Sequence, residues 1–348
     1  MKLLLISVQS KISRGGIATW TDRFLDRCDA HGIKCDVVNM EAVGKRAELG
    51  TAKRSLKDEL VRTRRIFKDL KACLKKEHYD AVHLNSSCGS FGLFRDYMIA
   101  KQIKKKGLRL IVHFHCDIPY WIKKSISRKY LGRLVALADE RLVLCENSRV
   151  YLEKTYGVSS IKIPNFIDED SILREEKAVN KELKNVVFVG RISKAKGAEE
   201  IYALAELFPQ LSFRLIGDIS DPIAALKTPE NVMLTGGKPH GEVLQYLRNA
   251  DVFLFPSHSE GFSLALTEAM AMGLPSIATD VGANADMLAD GCGIIIPVKD
   301  IDAMATALRE LEDAETRQKI SDNAREKVRE QYTTNVIIER LANYYQHD

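Results

Sequence analysis

The chain has little of what a secreted, membrane-spanning or metal-clustered protein needs. Its seven cysteines (28, 35, 73, 88, 116, 145 and 292) are odd in number, scattered and without a C-x-x-C pair. That pattern argues against a disulfide framework or a zinc site, and for buried thiols in a reducing compartment. The longest stretch free of Lys, Arg, Asp and Glu is 14 residues, Ala81–Phe94, and it contains His83, Asn85 and Ser86. A spanning helix needs about 18 or more apolar residues, so none is expected. The apolar start, Met1 to Val8, is too short for a signal-peptide core and has no small-residue cleavage site, so it reads as a buried first strand. There is no short internal repeat and no low-complexity tract. No G-x-G-x-x-G follows a strand, and no G-x-x-x-x-G-K-[ST] occurs, which disfavours a dinucleotide Rossmann site and a Walker-type NTPase. A helix-turn-helix signature, RNA-recognition aromatics and finger spacing are missing too, so a nucleic-acid binder is only a remote alternative.

What is present fits a two-domain globular protein. The 348 residues are 45% hydrophobic and 28% charged, too many for one ordinary core. The net charge of +5 conceals a division: residues 1–165 hold 33 Lys+Arg against 17 Asp+Glu, and residues 166–348 hold 19 against 30. One half is basic and the other acidic.

Apolar runs ending in turn residues alternate with amphipathic stretches. Short strands are expected at Leu3–Val8, Cys35–Val38, Ala81–Leu84, Leu110–Phe114, Arg141–Leu144 and Ser160–Ile163. The pattern restarts at Asn185–Gly190 and continues through Phe213–Ile216, Val232–Thr235, Val252–Phe255, Pro275–Thr279 and Gly293–Pro297. Residues 53–76 carry helical spacing, with Leu56, Leu60, Thr63, Phe67, Leu70 and Leu74 as the expected buried stripe. The segment from about Thr316 to His347 reads as charged and helical, with Ala324, Val328, Val336, Ile337, Leu341 and Tyr344 as its apolar positions. Strands alternating with helices imply parallel sheets covered on both faces. The break falls at 163–168, where Pro164 opens a polar linker that continues through Glu169–Lys184. The expected organisation is a basic N-terminal domain over 1–165, a second domain over 166–330, and a helix over 331–348 packing back toward the first.

Three constellations carry chemistry. Arg14-Gly15-Gly16-Ile17 follows the first strand and precedes a helix; paired glycines there let backbone approach a ligand, and a helix start offers N–H groups to an anion. A plain tight turn is the other reading. In the segment 188–197 a strand ends at Gly190, Arg191 stands at its carboxyl tip and Lys196 follows five residues later, an arginine fork and a lysine point charge suited to a diphosphate. In the segment 255–270 a strand runs into a loop holding Glu260 and Gly261, and Ser263 is placed to cap a helix that carries Glu268. The apolar run after Glu268 makes that helix buried, so Glu268 is not a bland surface carboxylate.

These motifs together resemble a known family. Glu260-x7-Glu268, V-G-R-x5-G at 189–197, P-S-x2-E-G-F at 256–262, E-A-M-A-x-G-L-P at 268–275 and I-P-N-x-x-D at 163–168 are similar to the family-4 retaining glycosyltransferases of the GT-B fold. The resemblance runs over nearly the whole chain and is densest from 185 to 290. It implies an α/β GT-B architecture, two Rossmann-like parallel α/β/α domains facing a central cleft. It implies that Arg191 and Lys196 bind the donor's diphosphate, that Glu268 holds the ribose and that Glu260 lies near the transferred sugar. Gly190 and the backbone at Phe262, Ser263 and Leu264 belong with the phosphate cradle, and Gly15-Gly16 with the glycine turn of the other domain. His115 matches a family histidine near donor sugar and acceptor. His113, two residues away on the same strand face, is its rival and otherwise a packed strand histidine. Two departures stand out: Gly282-Ala283-Asn284-Ala285-Asp286 replaces the common Gly-Gly-x-x-Glu segment, and Phe166 stands where glycine is common.

The implied reaction moves a sugar from a nucleotide-diphosphate sugar, a UDP-sugar favoured, to a saccharide or lipid-linked acceptor. Same-face attack retains the configuration, and the leaving phosphate accepts the acceptor's proton. No cofactor and no metal are expected; Asp168-Glu169-Asp170 only mimics the D-x-D motif of another fold. A nucleotide-sugar epimerase or a sugar phosphorylase on the same fold is the alternative. Basic residues cluster at 45–76 (12 Lys/Arg against 4 Asp/Glu), at 101–106, and at 120–130 beside Tyr120, Trp121 and Tyr130. Such segments suit an anionic membrane, at about 1 kcal/mol per basic residue near the surface. The expectation is a cytoplasmic enzyme, peripheral on the inner face of the cell membrane.

Overall fold

The computed structural model describes residues 1–9, 15–44, 55–172 and 178–346. Arg14, the basic residues 45–54 and part of the charged linker, 173–177, lie outside the described residues. The chain divides into two compact units, Met1–Asn165 with Thr334–Asp348, and Phe166–Thr333.

Unit 1 is a six-stranded parallel sheet of β1 (Lys2–Ser7), β2 (Lys34–Asn39), β3 (Ala81–Ser86), β4 (Arg109–Phe114), β5 (Glu140–Val143) and β6 (Ile161–Lys162), in the order β2-β1-β3-β4-β5-β6. Period-two alternation splits its central strands. Leu4, Ile6, Val82, Leu84, Leu110, Val112 and Phe114 join an apolar core with Ile66, Leu70, Leu93 and Leu134 from the flanking helices. Each such fully buried side chain contributes about 1.5–3 kcal/mol. The other face carries Ser7, His83, Asn85 and His113, all buried, under Trp20, Phe24 and Tyr345. A buried polar face is costly unless its groups are bonded to one another.

Unit 2 is a second six-stranded parallel sheet: β7 (Asn185–Val189), β8 (Ser212–Ile216), β9 (Val232–Leu234), β10 (Val252–Phe255), β11 (Ser276–Thr279) and β12 (Ile294–Ile296), ordered β12-β11-β10-β7-β8-β9. Its strands are near-continuous apolar runs because helices cover both faces. In each unit the strand order reverses once, beside β1 and β3 in unit 1 and beside β7 and β10 in unit 2. Open parallel sheets bind ligands outside the carboxyl ends of the strands at such a reversal.

Three expectations are corrected. Cys88 and Cys116 form a disulfide, with Cα atoms 6.6 Å apart; the other five cysteines are not disulfide-bonded. Ser86 and Phe114 are register partners in β3 and β4, so the cysteine two residues beyond each strand end arrives at the same level. Spacing in sequence, 28 residues, carried no trace of that adjacency. The helix Leu56–Lys76 buries Glu59, Ile66 and Leu70, whereas Leu56 (84%) and Leu60 (50%) are exposed. Its first turns are held by polar contacts: Arg62 Nε donates to the Met40 carbonyl at 2.8 Å and Arg65 to that of Glu41 at 2.7 Å. The C-terminal segment is two helices, Ala314–Gln331 and Thr334–Gln346, which meet where the chain leaves unit 2 for unit 1. The restart at Thr334 resets the helical phase, so Ile338 and Tyr345 are buried and Tyr344 only half so.

Candidate active site

In unit 2 the candidate residues leave the sheet at the reversal. β7 gives way to Gly190, at φ +148°, and then to an exposed Arg191. A short 3-10 turn, Lys194–Lys196, ends on Gly197 in the left-handed region, at φ +76°. A Cβ on Gly197 would run into the Pro256 carbonyl and lie 2.7 Å from Pro256 Cγ. Glycine is therefore what lets this turn close on the loop after β10. The loop is tied back by His258, whose N–H donates to the Ala195 carbonyl at 3.0 Å and whose Nε2 lies 2.9 Å from Glu200 Oε1.

The closure brings two predicted residues together. Lys196 Nζ and Glu260 Oε1 form an ion pair, and Nζ sits 5.6 Å from the centre of the Phe255 ring. Glu260 is held from beneath: the Ala283 N–H donates to the Gly261 carbonyl at 3.0 Å, and a Cβ on Gly282, at φ +57°, would lie 2.5 Å from the Glu260 carbonyl oxygen. The departure noted at 282–286 thus retains the one glycine this contact requires.

Ser263 caps the helix Leu264–Ala271, its Oγ accepting from the Leu266 N–H at 3.2 Å, and Phe262 packs edge-on to Tyr332 at 5.4 Å. The first N–H groups of a helix lack intrahelical partners and suit an anion. Glu268 is 8% exposed, with Oε1 3.0 Å from His240 Nε2. His240, His258 and Glu200 were not singled out from sequence; they are isolated polar residues on separate elements, joined only by folding.

In unit 1, Gly15 and Gly16 open the helix Gly16–Arg27. Gly15 has φ −103°, and among the described residues no atom lies within 4 Å of a Cβ built on either glycine. Among the described residues, then, no close contact requires glycine at these positions.

His115 follows β4. Its Nε2 lies 2.9 Å from Asn85 Oδ1, and the same oxygen lies 3.0 Å from His83 Nε2. His83 Nδ1 is 2.7 Å from the Tyr345 hydroxyl, and Asn85 Nδ2 donates to Ser7 Oγ at 2.8 Å. Ser7 Oγ is 2.6 Å from Thr21 Oγ1, which donates at 2.8 Å to the carbonyl of Ile17, the residue after the glycine pair. Burial lowers the pKa of both His83 and His115 to about 3, so both are neutral. His113 is fully buried, with Nε2 3.2 Å from the Ile163 carbonyl. Burial also raises Asp117, two residues past His115, to about 6. Asn85 and Tyr345 were missed as site residues; the available signal was the repeated polar interruption at His83 and Asn85, then at His113 and His115, in otherwise apolar strands.

Comparison with known proteins bears on the family and the fold. Residues 14–171 match the family model described as Glycosyltransferase Family 4, and residues 169–327 that of Glycosyl transferases group 1. The UDP-Gal:alpha-D-GlcNAc-diphosphoundecaprenol alpha-1,3-galactosyltransferase of Escherichia coli is 27% identical over 82% of this chain and 81% of its own length. The capsular polysaccharide biosynthesis glycosyltransferase CapM of Staphylococcus aureus is 29% identical over 45% of this chain, and the match spans 44% of that protein. HepE of Anabaena, solved in complex with UDP and glucose, superposes with a TM-score of 0.72 over 99% of both chains at 17% identity, which establishes the fold. With two reversed parallel sheets, a lysine–glutamate pair at the ligand end of the second and both family models matched in tandem, the chain belongs to the family-4 glycosyltransferases of the GT-B fold.

Proposed function

We propose that this glycosyltransferase takes its sugar from a nucleoside-diphosphate donor, a UDP-sugar in the first instance, and passes it to a hydroxyl of a saccharide or lipid-linked acceptor in cell-surface polysaccharide or glycolipid assembly. The reaction retains the anomeric configuration and needs no metal. The observation that carries this reading is the placement of Lys196, Glu260 and the Ser263-capped helix start together at the strand-order reversal of unit 2. Lys196, Arg191 and the helix N–H groups supply positive charge where a leaving diphosphate develops its negative charge, and a divalent cation would duplicate that role. Among the described residues no three His, Cys, Asp or Glu side chains converge as a ligand set. UDP as the leaving group is supported by the donor in the E. coli relative's name and by the HepE complex.

The test is thermal stability with UDP, GDP and ADP, each with and without EDTA. UDP at 100 times its dissociation constant adds about 2.7 kcal/mol, or roughly 5–10 °C for a domain of this size. The expected result is a shift with UDP that is indifferent to EDTA and lost in Arg191→Ala. No shift with any of the three overturns the donor assignment; a shift abolished by EDTA overturns metal independence.

Membrane association is the second part of the reading. No helix among the described residues is long and apolar enough to cross a membrane. Trp121 (56% exposed), Tyr120 and Ile126 lie beside exposed Lys123, Lys124, Arg128 and Lys129, and Lys123 Nζ sits 5.7 Å from the centre of the Tyr120 ring. Aromatic rings interleaved with lysines fit the headgroup layer of an anionic bilayer. This supports a peripheral enzyme on the cytoplasmic face, where a lipid-linked acceptor would reach it. Co-sedimentation with anionic but not neutral liposomes is expected, falling at least several-fold in Trp121→Ala/Lys123→Ala/Lys124→Ala; equal binding to both vesicle types overturns it.

A further inference from the structure

The Cys88–Cys116 disulfide has no part in the donor chemistry proposed above, and the sheet does not need it. β3 and β4 already pair over six register positions, from Ala81↔Arg109 to Ser86↔Phe114, and the His115 N–H extends the ladder by donating to the Ser86 carbonyl at 2.8 Å. The other five cysteines are not disulfide-bonded, so the chain is not a disulfide scaffold. What the bond joins is the loop 87–89 and the turn 116–117, just beyond the two strands. Each leads directly into a helix: Gly89 precedes Ser90–Lys104, and Asp117 precedes Ile118–Trp121.

The starts of those two helices carry exposed aromatic rings, Phe91 and Phe94 on one and Tyr120 and Trp121 on the other. Phe94 packs edge-on to Tyr130, at 5.1 Å, on the helix Ser125–Leu137 that begins just after Trp121. Basic groups are interleaved: the Arg133 guanidinium lies 5.7 Å and Lys101 Nζ 5.8 Å from the centre of the Tyr97 ring. The two sides of the bond are held unequally. Beside Cys116, Ser148 Oγ donates to the Cys116 carbonyl at 3.3 Å and accepts from the Ile118 N–H at 2.9 Å. The Cys88 N–H makes a long contact, 3.5 Å, with Ser86 Oγ. Cys88 also has φ +57°, in the left-handed region that a residue with a side chain keeps only where its surroundings impose it.

We propose that Cys88–Cys116 is a redox switch on the membrane-facing surface of unit 1: the disulfide fixes the start of the helix Ser90–Lys104, and with it Phe91 and Phe94, and reduction to two thiols releases them. The inference rests on the membrane reading for what this surface meets, and on the geometry alone for what the bond holds. In a reducing compartment a single disulfide is characteristically transient and redox-sensing, not structural. The step is thiol–disulfide exchange with a dithiol. One thiolate of the dithiol attacks a sulfur of the bond, its second thiol resolves the mixed disulfide, and the dithiol leaves as its own disulfide. Two electrons and two protons pass to Cys88 and Cys116, and exchange with the oxidised dithiol restores the bond. Both cysteines are nearly enclosed, 2% and 4% exposed, so exchange proceeds as the loop 87–89 opens. With the bond broken, Cys88 is no longer held left-handed and the first turn of its helix loosens. A bilayer must then order Phe91 and Phe94 on contact, which weakens binding. The Cys116 side keeps its Ser148 contacts and its own aromatic pair.

The experiment compares the full chain in dithiothreitol and in oxidised dithiothreitol, with thiol alkylation and peptide mapping to confirm which state is present. Amide hydrogen exchange at 87–92 is expected to rise several-fold on reduction, while β3, β4 and residues 116–121 stay unchanged. Co-sedimentation with vesicles of phosphatidylglycerol and phosphatidylcholine is expected to fall several-fold on reduction and to return on reoxidation, with the thermal shift by UDP the same in both states. Cys88→Ser/Cys116→Ser should match the reduced protein in either buffer, which separates this pair from the other five thiols. Failure of Cys88 and Cys116 to form a reversible disulfide overturns the inference, as does equal exchange at 87–92 in the two states. Equal vesicle binding by both forms overturns it too, and loosening of β3 and β4 along with the loop would make the bond structural. Protein that binds vesicles in neither form overturns the membrane reading instead, and exchange at 87–92 then decides by itself whether the bond governs the loop.

Discussion

Replacing Lys196 by methionine is expected to lower turnover by about 10²–10³-fold, the cost of removing one preorganised charge from a developing anion, or about 2.7–4 kcal/mol. The structure gives the reason for so large an effect. Lys196 is placed by Gly197 closing on Pro256, with its ammonium over the Phe255 ring and against Glu260. A charge held this way does not reorganise when the sugar–phosphate bond breaks. Methionine keeps the length and packing of the stem. The lost ion pair is partly exposed, 29% for the lysine side chain and 12% for the glutamate it leaves, so its removal should change stability by about 1–3 kcal/mol. Release of nucleoside diphosphate under single-turnover conditions, with a parallel melting curve, separates the two effects. Turnover within three-fold of the parent would remove Lys196 from the reaction, and a large fall in melting temperature would make its role structural. Glu260→Gln is the companion variant: it removes the carboxylate's charge from Lys196 while keeping its shape, so UDP affinity should rise, whereas transfer falls if Glu260 orients the sugar.

Much of this was legible because parallel strands buried on both faces are written as apolar runs that end at turn residues. Val252–Phe255 is a strand over the same four residues that its sequence suggests, and Ser263 caps its helix because the side-chain oxygen and the free N–H groups are only three residues apart. What was not legible depends on register. The bond between Cys88 and Cys116, and the meeting of His83 and His115 on one oxygen of Asn85, exist only because β3 and β4 lie side by side in one particular register. A one-residue slip of β3 against β4 would turn His83, Asn85 and Cys88 away from His115 and Cys116. The exposed Leu56 and Leu60 fail for a related reason: helical spacing identifies an apolar stripe, but arginine bonds to carbonyls at residues 39–41 decide which side of that helix meets the sheet. His240 beside Glu268 and His258 beside Glu200 are likewise partnerships between distant elements, without a local signal.

Gly217→Ala is expected to destabilise unit 2 by about 2–5 kcal/mol, combining a backbone conformation close to glycine-only with an overpacked contact. Gly217 has φ +143°, and its Cβ would strike the Gly190 carbonyl and lie 2.7 Å from the carbonyl carbon. Neither neighbour can yield. Gly190 donates to the Ile216 carbonyl at 2.9 Å and Gly217 to that of Gly236 at 3.0 Å, so the clash lies inside the sheet ladder that sets Arg191. A fall in melting temperature of roughly 5–15 °C is the expected reading for a domain of this size. Gly16→Ala should behave in the opposite way. A Cβ there meets no described atom within 4 Å, so the fold accommodates it, and the loss of unfolded-state freedom stabilises by about 0.4–1 kcal/mol. If the glycine pair is small so that a ligand can approach the backbone, the same variant weakens donor binding or transfer while the protein grows no less stable. Full activity in Gly16→Ala would remove the pair from the site. The two substitutions are the same chemical change, one methyl group, and they separate a glycine that builds the site from one that serves it.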